Sequence, residues 1–127
     1  MPRQLVPAVS PQAATVGYSR AVREGAHVHV SGTAPVYPDG EAPPADAYAQ
    51  ATRCLEIVVA ALAEVGASPA DVVRTRVYLV DAADWPDVGR AHFDTFRETL
   101  PATTFVVVAA LLDERWRVEI EAEALLP

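Results

Sequence analysis

The chain has 127 residues, 51% of them hydrophobic, with ten arginines, no lysine and a formal net charge of -7. That length fills one core but not two, so residues 1–127 read as a single domain. Without lysine there is no Schiff-base amine and no phosphate-loop ammonium, and an acidic chain without a basic run is a poor match for nucleic-acid phosphates.

The mean hydropathy of +0.15 is high for so small a unit, and the excess apolar surface points to burial between subunits. Cys54 is the single cysteine, which excludes an intramolecular disulfide and a cysteine-based structural zinc. Met1 to Ser10 holds one arginine and no long apolar core, so neither a signal peptide nor a membrane span is expected and the protein reads as cytoplasmic.

Residues 1 to 13 are rich in proline and weakly patterned, as in an extended arm. Thr15 to Arg23 and Ala26 to Gly32, joined at Glu24-Gly25, read as a β-hairpin with Val28 and Val30 on one face and His27, His29 and Ser31 on the other. A proline-rich loop over Pro35 to Pro44 follows. Asp46 is placed to cap a long helix whose apolar stripe is Ala51, Cys54, Leu55, Val58, Leu62 and Val65, ending near Gly66. The stripe is core, and Cys54 within it reads as a buried, inert thiol.

"DVVRTRVYLVD" reads as a strand with Val73, Val77 and Leu79 on one face and Arg74, Arg76 and Tyr78 on the other. Asp84 and Pro86 open a second helix that runs to about Leu100 and carries Trp85, Val88, His92 and Phe96 on one stripe. His92 reads as a packed helix residue. "TTFVVVAAL" is apolar on both faces, as in a central strand or one pressed between sheet and partner, and Phe105, Val107 and Ala109 call for a cover on the sheet face opposite the helices. The last strand, "VEIEAE", sets Glu119, Glu121 and Glu123 on one face, roughly 6 to 7 Å apart, where carboxylates repel unless water, an arginine or a proton relieves them. Alternation alone sends all three to solvent. The order β-β-α-β-α-β-β predicts a two-layer α+β domain with both helices on one face of a mixed sheet.

Several segments resemble one known family. "GYS" at 17–19, "VSGTAP" at 30–35, "QATRCL" at 50–55, "VVRTRVYLVD" at 72–81, and "PATTFVVVAAL" followed by "VEIEAEA" are together similar to the RidA/YjgF/L-PSP family of small homotrimeric proteins. The resemblance implies a chorismate-mutase-like fold, a homotrimer with sheets facing the central axis, and clefts between subunits. It further implies hydrolysis of reactive 2-imino acids and their enamine tautomers to 2-keto acids and ammonia, with no metal or organic cofactor. Carried over by position, Glu119 is the carboxylate that positions water, and Tyr18, Ser31 and Gly32 line the cleft. Glu121 and Glu123 have no such counterpart.

One position departs from the pattern. Where the active deaminases carry a carboxylate-gripping arginine after Pro-Ala, this chain has Thr103. Such a charged hydrogen bond contributes about 1.5 to 3 kcal/mol, and a threonine hydroxyl supplies less and no charge. Arg76, and after it Arg20, are the candidates to replace it. Otherwise the substrate lacks a carboxylate, or the trimer binds a small molecule without turning it over. His27 and His29 lack a third metal ligand at convincing spacing, and an endoribonuclease role fits the charge least well.

Overall fold

The computed structural model describes residues 2–10 and 12–127. Six strands form, β1 (Gln4–Pro7), β2 (Ser19–Glu24), β3 (His27–Thr33), β4 (Val72–Leu79), β5 (Ala102–Val107) and β6 (Val118–Leu125), with helices α1 (Ala13–Val16), α2 (Ala47–Glu64) and α3 (Trp85–Phe96). The sheet order is β1-β2-β3-β6-β4-β5. All neighbours are antiparallel except β4 and β5, whose parallel pairing requires the crossover that α3 supplies. The two-layer α+β reading holds. Two details at the N-terminus differ.

The arm expected over residues 1–13 includes Met1 and Pro11, which lie outside the described residues. Within the remainder, Gln4–Pro7 pairs with β2 and adds a strand, because Val6 alternates inward to 6% exposure opposite Ala21. Thr15 and Val16 belong to α1 rather than to the hairpin. Gly17, at φ 83, ends that turn by donating its N–H to the Ala13 carbonyl, a left-handed conformation that glycine adopts without a Cβ clash.

Helix α2 forms where its stripe predicts. The Asp46 carboxylate accepts from the Ala49 N–H at 3.0 Å, and Ala51, Cys54, Leu55, Val58 and Leu62 are all buried against the sheet. From the other side of the core come Val28 and Val30 of β3, Thr75, Val77 and Leu79 of β4, and Val118, Ile120 and Ala122 of β6. Val73 is not among them. The β4–β6 ladder shifts register between Val72 and Arg74, so Val72 turns inward and Val73 is left half exposed.

Helix α3 ends at Phe96, short of Leu100, and Trp85 faces outward at 61% exposure. Asp84 does not cap it with its side chain. Its carboxylate takes a bidentate fork from Arg117 instead, with both bonds at 2.9 Å. Beside that pair, buried Gln50 accepts from the Arg117 N–H and donates to the carbonyls of Pro44 and Arg115, tying the proline-rich loop to the start of β6.

Of the two positions expected for β5, the central one is excluded, because β5 is an edge strand. Pairing with Thr75, Val77 and Leu79 puts Thr103, Phe105 and Val107 on the helix-bearing face, where α3 reaches them only through His92, so Phe105 and Val107 stay 37% and 55% exposed. The opposite sheet face, expected to need an apolar cover, is lined by Arg76, Tyr78, Glu119, Glu121, Glu123 and His29. Among the described residues, no helix is long and apolar enough to cross a membrane.

Candidate functional site

The polar face of the sheet is organised around a bulge in β3. Val30 pairs with Ala122 and Thr33 with Ile120, so Ser31 and Gly32 together oppose one residue, Glu121. The Ser31 hydroxyl turns back to donate to the Ser19 carbonyl at 2.7 Å, and the Thr33 hydroxyl donates to the Ser31 carbonyl at 2.7 Å. These bonds hold the extra residue in place.

Glu119 lies across this bulge. A Cβ at position 32 would stand 2.6 Å from Glu119 Oε1 and 3.3 Å from its Cδ, so glycine is what allows the carboxylate to rest there. From β2, Arg20 Nη2 donates to the Gly32 carbonyl at 2.6 Å. Burial pushes the Glu119 carboxyl above the usual carboxylate range; the Arg20 charge works against that rise and Glu121 adds to it. Arg20 is itself lowered, chiefly by burial, and its Nε is buried without a hydrogen-bond partner among the described residues.

The three glutamates therefore differ. Glu121 accepts from the Tyr78 hydroxyl at 2.6 Å and from Arg76 Nη1 at 3.2 Å, and that hydrogen bond is the main reason the Tyr78 phenol is raised. Glu123 lies 3.6 Å from His29 Nδ1. Glu119 accepts no hydrogen bond among the described residues, although the Arg20 guanidinium stands near enough for its charge to act on it. Alternation sent all three to solvent; flanking strands partner two of them and enclose the third.

Of the residues singled out from the sequence, Gly32, Ser31 and Glu119 come together at the bulge. Tyr18 stands at the start of β2, half-buried, with its hydroxyl bonded to Ser10 Oγ. Arg76 shares the polar face but is engaged by Glu121, and Arg20 is the cation beside Glu119. The signal for Arg20 was the same two-residue alternation that placed the glutamates, read across β2.

Thr103 is not part of this group within one chain. It projects from the opposite face of the sheet, where its hydroxyl bonds the Thr75 hydroxyl at 2.7 Å and the Pro101 carbonyl at 3.1 Å. His92 Nε2 reaches Thr75 Oγ1 at 2.8 Å and Thr103 Oγ1 at 3.5 Å, and burial lowers the imidazole below its ordinary value. Together with Phe96, Arg97 and Leu100, His92 and Thr103 line a shallow groove of about 320 Å³. Cys54 is fully buried and its thiol is strongly raised by burial, as an inert core residue should be. No group of three or more His, Cys, Asp or Glu side chains among the described residues is placed to hold a metal ion.

The family model for Endoribonuclease L-PSP matches residues 8–126. The chain belongs to this family, the RidA/YjgF/L-PSP family. The curated relative SCO2049 of Streptomyces coelicolor is 38% identical over 115 residues, covering 91% of this chain and 86% of that protein. TdcF of Escherichia coli K12, which its name provisionally calls a reactive intermediate deaminase, is 32% identical over 111 residues, covering 85% of this chain and 84% of TdcF. Among solved structures, Rv2704 of Mycobacterium tuberculosis, from the YjgF/YER057c/UK114 family, superposes with a TM-score of 0.90 at 40% identity, covering 98% of this chain and all of that one. E. coli TdcF with bound serine superposes at 0.81 with 32% identity, covering 97% of this chain and 94% of TdcF. The two-layer RidA-type fold is the one these proteins share.

Proposed function

We propose that the protein is a cofactor-free deaminase that hydrolyses small reactive imine or enamine metabolites in the cytoplasm, at clefts between the subunits of a homotrimer. The observation that carries this reading is the Glu119 carboxylate, held half-buried over side-chain-free Gly32 and raised by burial toward the range where a carboxylate can take and return a proton. Glu119 accepts a proton from water as the oxygen adds to the imine carbon. The nitrogen gains protons, the C–N bond of the resulting carbinolamine breaks, and a carbonyl compound and ammonia leave. Tyr18 and the bulge at Ser31-Gly32 border the substrate, with Arg76 and Thr103 further out.

The trimer reading has its support in β5. An edge strand with exposed Phe105 and Val107, close to exposed Leu100 at 77%, needs a cover in water. A neighbouring copy would supply it and bring Thr103 toward that copy's Glu119.

A second reading, a trimer that binds a small molecule without turnover, is favoured by the hydroxyl of Thr103 standing where the resemblance implies an arginine. Binding of RNA is disfavoured by the charge of -7 and the absence of lysine.

Generating 2-iminopropionate and bulkier imino acids with an amino-acid oxidase, and following carbonyl release with and without the protein, separates the two readings. Acceleration that Glu119→Gln reduces by about 10²- to 10⁴-fold, with the native mass of the assembly unchanged, is the expected result. No acceleration of any imine, together with a thermal shift from a small metabolite, would leave the binding reading.

A further inference from the structure

We propose that Arg20 is the positioning residue of the site, holding the Gly32 carbonyl and with it the β3 bulge over which the Glu119 carboxylate lies. This inference rests on the reading of Glu119 as the carboxylate that positions water.

Geometry carries the first step. Arg20 starts on β2, crosses β3 on the polar face, and meets the Gly32 carbonyl at 2.6 Å in the stretch where the β3–β6 ladder changes register. A bulge weakens local pairing, so a charged donor on its carbonyl fixes what the ladder does not. The Glu119 carboxylate lies in the space a Cβ at Gly32 would take, 2.6 Å from Oε1, so a shift of the bulge changes the room that carboxylate has.

The second step is the state of the guanidinium. Half-buried, with Nε enclosed and without a partner among the described residues, Arg20 has exchanged part of its water for one neutral carbonyl, a poor compensation for a charge. Arg76, on the same face, is spent directly on a carboxylate: it bonds Glu121 at 3.2 Å. Arg20 instead stands near Glu119 without an ion pair, close enough for its charge to act and far enough to leave the carboxylate oxygens free to accept from water. A direct fork would have occupied them.

The other groups facing Glu119 do not duplicate this role. Glu121 on β6 opposes its ionisation. Tyr78 on β4, its cross-strand neighbour, gives its hydroxyl to Glu121. Tyr18, before β2, acts on Arg20 and bonds Ser10, Arg76 is paired with Glu121, and Cys54 of α2 lies beneath as a neutral thiol.

The test uses Arg20→Gln and Arg20→Lys in the intact protein, with two readouts. Glu119 is titrated through its side-chain carboxyl ¹³C resonance, assigned with Glu119→Gln, and imine hydrolysis is followed against pH. Arg20→Gln should move the Glu119 titration, and the acid limb of kcat/KM, to higher pH, and should lower kcat by up to about a hundredfold with KM little changed. Arg20→Lys keeps the charge and loses the Nη2 bond to the Gly32 carbonyl, so it should titrate near wild type and lose part of kcat. An unmoved Glu119 titration in Arg20→Gln overturns the proposal, as does a rise in KM alone, which would make Arg20 a substrate ligand. If Arg20→Gln does not fold, the lysine variant decides: wild-type kcat there removes the positioning role. If wild type hydrolyses no imine, the deaminase reading fails, while the carboxyl titration still settles whether Arg20 governs Glu119.

Discussion

Replacing Gly32 by alanine tests the contact on which the site is built. The backbone offers no obstacle, since Gly32 is not in the left-handed region, and the three heavy atoms nearest to an added Cβ all belong to Glu119. Oε1, at 2.6 Å, must retreat by about 0.8 Å to reach an ordinary 3.4 Å contact. A side chain forced off its rotamer by such a move costs about 0.5 to 1.5 kcal/mol. Against this, Gly→Ala at a compatible backbone stabilises by about 0.4 to 1 kcal/mol, because the unfolded chain loses freedom. In wild type the two nearly cancel. With Glu119→Ala the clash is gone, and Gly32→Ala becomes stabilising by about 0.4 to 1 kcal/mol. Denaturant unfolding of the four proteins of this cycle, at one protein concentration, measures a coupling of about 1 kcal/mol. The same displacement lowers imine hydrolysis by up to about a hundredfold. Equal effects of Gly32→Ala in both backgrounds would refute the contact.

Asp84→Ala should destabilise by about 2 kcal/mol, since it strips a bidentate charged partner from Arg117; urea unfolding reads the change, and Arg117→Met should lower stability in the same direction. His92 gives a pH dependence of defined sign. Its folded pKa is depressed by burial, so the unfolded chain takes up its proton first, and the stability it contributes is present above the unfolded value of 6.5 and is lost as pH falls from there through the folded value. Unfolding midpoints between pH 7 and 5 should show a slope that His92→Gln reduces. An unchanged slope would contradict the assignment.

Helix α2 was legible because a cap, a stripe and a terminating glycine agreed, and each is a local property of the chain. The resemblance then gave the family. What local pattern did not carry was anything that depends on which strands become neighbours. Val73 looked inward on strict alternation, and only the slip in the β4–β6 ladder turns it out. β5, apolar on both faces, fits a central strand and one pressed between sheet and partner alike, and only the strand order shows that it lies at an edge. Asp84 read as a cap, and the partner that draws it away, Arg117, lies 33 residues later in the sequence. At the site, alternation correctly put Glu119, Glu121 and Glu123 on one face. It did not separate them, because the separation comes from Arg20 on β2 and from Arg76 and Tyr78 on β4.

Position 103 holds threonine where the resemblance implies an arginine, and the guanidiniums on the Glu119 face already have partners. On the face that carries Glu119, Arg76 bonds Glu121 and Arg20 bonds the Gly32 carbonyl. A substrate carboxylate recruiting either would strip a neighbour of its partner, and a charged hydrogen bond gained at about 1.5 to 3 kcal/mol would be offset by a similar bond lost. On the other face, Thr103 offers a hydroxyl already shared with Thr75, beside a histidine that burial holds in its neutral form. Those two groups suit an uncharged or apolar substituent better than an anion, because neither the hydroxyl nor the neighbouring imidazole compensates a desolvated negative charge. Arg97, which lines the same groove, makes no ion pair among the described residues and is the guanidinium on that face free to change the balance. On the proposed reading, threonine at the start of β5 leaves the sheet face that carries Glu119 unchanged and alters only the helix-bearing face.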